Sequence, residues 1–176
     1  MMNSSKGEFT IIYAGIDPSI NPGGTLPESI GNAFEQTFPY CFGKMGTLSV
    51  VSSITAALKG INHDDHDIVK LCGYCGLMLP VMEDLVLASR AVEGTFTIRD
   101  LLLFSTVCGV GIDTVPIPGD VSEEVLSGLY MEITTLAYRL NKPLSCRLLP
   151  FQGLIAGEVT DIIDNSYLIN TTVFEL

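Results

Sequence analysis

The residues best equipped for chemistry crowd into one segment, Cys108-Gly-Val-Gly-Ile-Asp113-Thr-Val-Pro-Ile-Pro-Gly119-Asp120. It holds one thiol, two carboxylates and three glycines. Glycine lets a backbone approach a ligand closely or adopt positive φ. A cysteine ahead of such a turn can serve as a nucleophile or radical relay, and two carboxylates can bind a cation or move protons. The plainer alternative has Cys108 as a small core residue, Asp113 satisfying a turn and Asp120 capping the next helix.

Three further groups have suitable residue types. Cys72-Gly-Tyr-Cys75 has the C-x-x-C spacing of a redox dithiol or half a zinc site. No second C-x-x-C completes a zinc set, and the apolar flanks favour a structural pair. His63-Asp-Asp-His66 offers two imidazoles and two carboxylates, and equally reads as a solvated loop capping the next element. Glu83-Asp84 follows Leu79-Pro80-Val81 and suits a first helical turn, where acidic groups complement the dipole. Their use in a site requires the fold to bring them to Cys108–Asp120. Walker A, G-x-G-x-x-G, G-x-S-x-G and H-E-x-x-H are absent from the sequence.

Helices alternating with short apolar strands must position these groups, which argues for an α/β class. Residues 8–16 (EFTIIYAGI) read as a strand and residues 17–27 as a Pro/Gly loop. Pro27-Glu28 opens a helix to about Thr37, and Thr47 starts another that ends near Gly60. Residues 68–81 form a buried strand or a short helix. Met82, Leu85, Val86, Ser89 and Val92 make a helical stripe, and Thr97-x-x-Asp100 reads as a capping box. Asp120-x-x-Glu123 is expected to cap the longest helix, with Val125, Leu129, Ile133, Leu136 and Leu140 as its apolar stripe. Residues 144–151 alternate as a strand, residues 153–164 form a loop or hairpin, and TTVFEL reads as a short strand.

Composition narrows the partners. The chain has 176 residues, 47% hydrophobic and 16% charged, against about 25% charged in typical domains. Nine basic and 20 acidic residues give a net charge of −11, which repels phosphate backbones and anionic lipid. Neither nucleic acid nor a membrane surface is expected as partner. The polar start of the chain and the odd cysteine count point to a reduced, cytoplasmic setting. So apolar a chain with so few charges also points to a large buried interface.

The segment VCGVGIDTVPIPGD, with GLMLPVMED upstream at its present distance, resembles the DUF711 family, also called UPF0210. DPSINPGGTLPESIGNAFEQ, GTLSVVSSITAALKG and CRLLPFQGLIAGEV extend the likeness over nearly the whole chain. The resemblance implies that residues 1–176 form a single domain corresponding to the C-terminal portion of a longer family member. It implies part of an α/β barrel like that of pyruvate formate-lyase-type glycyl radical enzymes, without an Arg-Val-x-Gly-Tyr segment to hold a radical glycine. The family's name denotes unknown function, so the resemblance supplies a fold and a site region, with no reaction, cofactor or metal. On the family's positions, Cys108 and Asp113 are the expected catalytic pair. Gly109, Gly111, Pro118, Gly119, Asp120, Glu83 and Asp84 are the expected ligand contacts. The expected function is a small-metabolite enzyme or binding subunit. The alternative is a non-catalytic assembly or sensing subunit that self-associates or docks a partner chain supplying the missing N-terminal portion.

Overall fold

The computed structural model describes residues 10–61 and 69–176. It is a mixed α/β structure of five helices and one parallel pair of strands among the described residues: α1 (Ile30–Thr37), α2 (Thr47–Gly60), α3 (Leu85–Val92), α4 (Ile98–Ser105), β1 (Gly111–Pro118), α5 (Glu123–Leu140) and β2 (Ser145–Phe151). Two extended segments add single parallel bridges, Ile16 with Leu71 and Ile20 with Leu77. Gly109 then donates to the Leu77 carbonyl, while Val81 and Met82 donate to the carbonyls of Asp113 and Thr114. The paired residues advance together along both segments, so this contact too is parallel. Four extended segments therefore lie side by side in sequence order: residues 16–20, 71–82, β1 and β2. The helices connect them, as parallel pairing requires. Among the described residues the arrangement is open and closes into no barrel.

Local signals explain most helix boundaries. Thr97 and Asp100 form the full capping box of α4, each side chain bonded to the other's backbone N–H. The sequence expectation differs from the structure at five places. α1 begins after Ser29, whose side chain accepts from the Asn32 N–H; Pro27 lies in a separate 3-10 turn, Leu26–Glu28. α3 begins after Asp84 and buries Val86, Leu87, Ala88 and Ala91, leaving Val92 outside and Met82 ahead of it. α5 is capped by Ser122, not Asp120, because the Ser122 hydroxyl reaches the Val125 N–H. Of its expected stripe, Leu129 and Ile133 are buried, but Val125 and Leu140 are exposed. Residues 10–16 form no ladder. Only Ile16 is bridged, and Ile11 and Ile12 are 95% and 81% exposed. TTVFEL contributes a single antiparallel bridge, Thr172 with Val159.

Phe42 lies at the centre of the core. Its ring meets those of Phe34, Phe96 and Phe104 edge-on, with centroids 5.4–5.8 Å apart. Such pairs add to plain burial through the ring quadrupoles. Beside them, Arg90 Nε and Nη2 donate to the two Glu35 oxygens at 2.7 and 2.6 Å, tying α3 to α1. Glu35 also accepts from the Phe42 N–H at 2.9 Å.

The Arg90 hydrogen bond holds the Glu35 carboxyl below its ordinary 4.5, against an opposing push from burial. A lowered carboxyl pKa contributes stability above the unfolded value and loses it as pH falls through the folded one. Glu35→Gln is therefore expected to cost about 1–3 kcal/mol at pH 7. The deficit should shrink steadily below pH 4.5. Urea unfolding at pH 7 and pH 3 checks this, and an unchanging deficit contradicts it.

Candidate functional site

The expected site residues fall in three places along β1. The strand is eight residues long, roughly 25 Å from end to end. Cys108, Gly109 and Gly111 sit at its start, Asp113 in its middle, and Pro118, Gly119 and Asp120 at its finish.

At the start, Cys108 is 1% exposed. Its Sγ accepts from the Gly111 N–H at 3.3 Å. The Lys142 ammonium donates to the carbonyls of both Cys108 and Ser105, closing the end of α4. Burial lowers the Lys142 pKa. Gly109 is a contact between segments: a Cβ on Gly76 would stand 2.5 Å from the Gly109 Cα. Gly111 has φ 125°, and a Cβ there would lie 2.5 Å from the Ser145 carbonyl oxygen. Both glycines thus have packing reasons for their type. At the far end, the Gly119 N–H donates to the Phe151 carbonyl, continuing the β1–β2 pairing, and Asp120 is exposed.

The middle gathers charge. The β1–β2 register breaks between Ile112 and Val115, where Thr114 adopts φ 43°. This bulge turns the Asp113 and Thr114 carbonyls toward Val81 and Met82. Asp113, only 4% exposed, accepts from Arg147 Nε at 2.6 Å. Arg147 reaches with Nη2 to Glu83 Oε1 at 2.9 Å. One guanidinium of β2 thus joins the expected residues Asp113 and Glu83. Burial raises the Glu83 pKa most, Arg147 opposes the rise, and Asp113 adds to it. The Thr114 hydroxyl is buried without a hydrogen-bond partner.

Glu83 opens onto a cavity of about 530 Å³, lined with Asn21, Pro22, Gly23, Gly24, Glu28, Ser166 and Tyr167. Asp84, its neighbour, faces inward. It is fully buried, and its oxygens accept from Ser29 Oγ at 2.7 Å, Ile30 N at 2.6 Å, and Val86 and Leu87 N at 3.1 Å. Every one of these bonds is structural, so Asp84 positions Glu83 and does not line the cavity.

The Cys72–Cys75 pair sits in a loop, away from any helix N-terminus. Cys72 is exposed, Cys75 buried, and both are free thiols. The loop wraps the Asp17 carboxylate, which accepts from the Tyr74 and Cys75 N–H groups, each at 3.0 Å. Bonds from the Ser19 hydroxyl and backbone lower the Asp17 pKa, and burial opposes them. His63 and His66 lie outside the described residues. Among the described residues, no three His, Cys, Asp or Glu side chains gather as metal ligands do. No helix among them is long and apolar enough to cross a membrane.

Sequence reasoning missed Arg147, Lys142, Asp17 and Ser29. Arg147 carries a signal: it is the one charged residue in the strand SCRLLPF. Nothing local marked the other three as partners of distant groups.

Comparison with known proteins bears on these positions. The chain is 30% identical over 155 residues to a UPF0210 protein of Pyrobaculum arsenaticum, covering 88% of this chain and 34% of that protein. It is 28% identical over 148 residues to a UPF0210 protein of Leuconostoc mesenteroides, covering 83% and 32%. A third, from Lactobacillus helveticus, is 27% identical over 161 residues, covering 90% and 35%. The chain thus spans about a third of the length of the curated relatives it matches. No solved structure matches it. The family model described as "Uncharacterised ACR (DUF711)" matches residues 2–163, and the chain belongs to that family.

Proposed function

We propose that this chain binds a small polar metabolite in the cavity beside Glu83, and that Glu83 handles a proton there. The observation that carries the reading is a half-buried carboxyl, raised by its surroundings, at the wall of a 530 Å³ cavity. A carboxyl moved toward neutrality can both give and take a proton. Arg147 holds Glu83 by one nitrogen and is itself held by buried Asp113. Asp113 is therefore a positioning residue. The backbone of Gly23 and Gly24 forms a wall with no side chain to obstruct a ligand. Cys108 acts as core in this reading, because its thiol is buried and bonded to the Gly111 N–H. The sequential parallel order of the four extended segments supports reading the chain as part of a larger α/β barrel. The cavity is then one sector of that barrel's site.

Native mass spectrometry of the purified chain tests this reading. A small adduct is expected on the wild type, reduced about tenfold or more by Glu83→Gln and unchanged by Cys108→Ser. Retention by Glu83→Gln equal to wild type sinks the assignment. Iodoacetamide on the native protein should modify exposed Cys41 and Cys72 well before Cys108. Rapid labelling of Cys108 restores it as a nucleophile.

A second reading rests on the open edge. Ile11, Ile12 and Tyr13 are 59–95% exposed just ahead of the first extended segment, and Ile16, where it begins, is 50% exposed. A chain supplying the remaining length of the relatives would cover them by adding a strand. Such a chain, co-expressed, should co-purify with wild type and be lost from the Ile12→Asp, Ile16→Asp variant. Equal recovery with both contradicts the docking edge.

A further inference from the structure

We propose that Cys72 and Cys75 form a reactive dithiol that reduces a small organic disulfide and closes into a disulfide of its own. Both are free thiols in a bend whose backbone is already curled. Gly73 has φ 86°, and Cys75 itself has φ 49°, a left-handed conformation that a residue with a side chain adopts only where its surroundings enforce it. The Cys75 Sγ is turned back along the bend and donates to the Cys72 carbonyl at 3.2 Å. Both ends of the bend are fastened. The Cys72 N–H bonds the Ile16 carbonyl, and a Cβ on Gly76 would stand 2.5 Å from the Gly109 Cα. Between them the Asp17 carboxylate holds the Tyr74 and Cys75 N–H groups, and a Cβ on Gly73 would fall 2.3 Å from one of its oxygens. The bend thus keeps the Cys75 sulfur against the residue it must join. Closure turns the Cys72 side chain away from Gly15, over which it now lies.

Exposure divides the labour. Cys72 is open to solvent, whereas Cys75 is 8% exposed. Burial, then the charges of Asp17 and Cys72, push the Cys75 thiol above its ordinary 9.0, with Lys59 opposing. The influence of Cys72 also shows that the two thiols lie within electrostatic reach of each other. The accessible thiol reacts first. Cys72, as thiolate, attacks one sulfur of the small disulfide: a mixed disulfide forms, the small disulfide's S–S bond breaks, and one small thiolate leaves and takes a proton from water. Cys75 then gives its proton to solvent and attacks the Cys72 sulfur. The protein disulfide forms, and the second small thiolate leaves and is protonated in turn. The protein pair is oxidised by two electrons, and the small disulfide is reduced to two thiols. Neither cysteine lines the Glu83 cavity, so this proposal stands apart from the reading of that cavity.

Oxidised glutathione added to the reduced full chain, followed by acid quenching and mass mapping of its peptides, tests the proposal. The wild type should lose the mass of the two thiol hydrogens between Cys72 and Cys75 and regain it with dithiothreitol. This outcome needs no variant. Cys75→Ser should stop at a glutathione adduct on Cys72. Cys72→Ser should slow modification of Cys75 about tenfold or more. A wild type whose Cys72 keeps its glutathione, or stays a free thiol, overturns the proposal. So does a disulfide that joins either cysteine to a different one, or an unchanged rate at Cys75 in Cys72→Ser.

Discussion

One buried carboxylate organises the region around the cavity. Asp84 supplies the N-cap of α3 and also accepts from the first N–H of α1 and from its capping hydroxyl, Ser29. Two helix N-termini thus share one negative charge, each presenting N–H groups that lack partners within the helix. Charge-assisted bonds of this kind are the stronger sort. A buried carboxylate with this many donors also leaves little freedom to the residue before it. Glu83 is held where the 16–28 loop, the Val81–Met82 turn and β1 converge. The cavity wall follows from this arrangement: the Leu85 N–H bonds the Gly23 carbonyl, drawing the glycine loop against the start of α3.

The second constraint is the bulge in β1. In a regular strand the consecutive carbonyls of Asp113 and Thr114 would point to opposite neighbours. The break in register turns both toward Val81 and Met82. It joins the second extended segment to the third at the place where Asp113 faces Arg147. The cost is a left-handed threonine and a buried hydroxyl without a partner. Strain of this kind persists only where surrounding contacts enforce it, and it concentrates at functional sites. Here it coincides with the cluster in which Asp113, Glu83 and the Arg147 guanidinium meet.

What the sequence made legible was local. The capping box of α4 could be read because Thr97 and Asp100 satisfy each other within one turn. α2 and β2 could be read from periodicity and punctuation. Asp120 was mistaken for the cap of α5 because Asp120 and Ser122 are both cap-type residues two positions apart, and only geometry separates them. The site was half legible. Glu83 and Asp113 stood out as acids in Gly/Pro segments, yet Arg147, 34 residues beyond Asp113, is what makes them one cluster. Pairing across strands depends on register, and the bulge that sets this register leaves no mark on composition. Cys108 stands out by its type, but burial decides its chemistry: the side chain is part of the apolar core, and its Sγ accepts from the Gly111 N–H.

The apolar, sparsely charged composition is carried by the surface as well as by the core. Exposed apolar residues run along the described chain, from Ile11 and Ile12 through Met45, Met131 and Tyr138 to Ile163 and Tyr167. Those at 11–13 differ in one respect: they lead directly into a segment that pairs with its neighbour, since Ile16 bridges Leu71 and both its backbone groups are bonded to that segment. Residues 71–82 and β1 continue the same parallel order, and β2 follows. A further extended segment laid beside residues 11–16 would lengthen this series by one and cover their side chains at the same time, which a helix could not do.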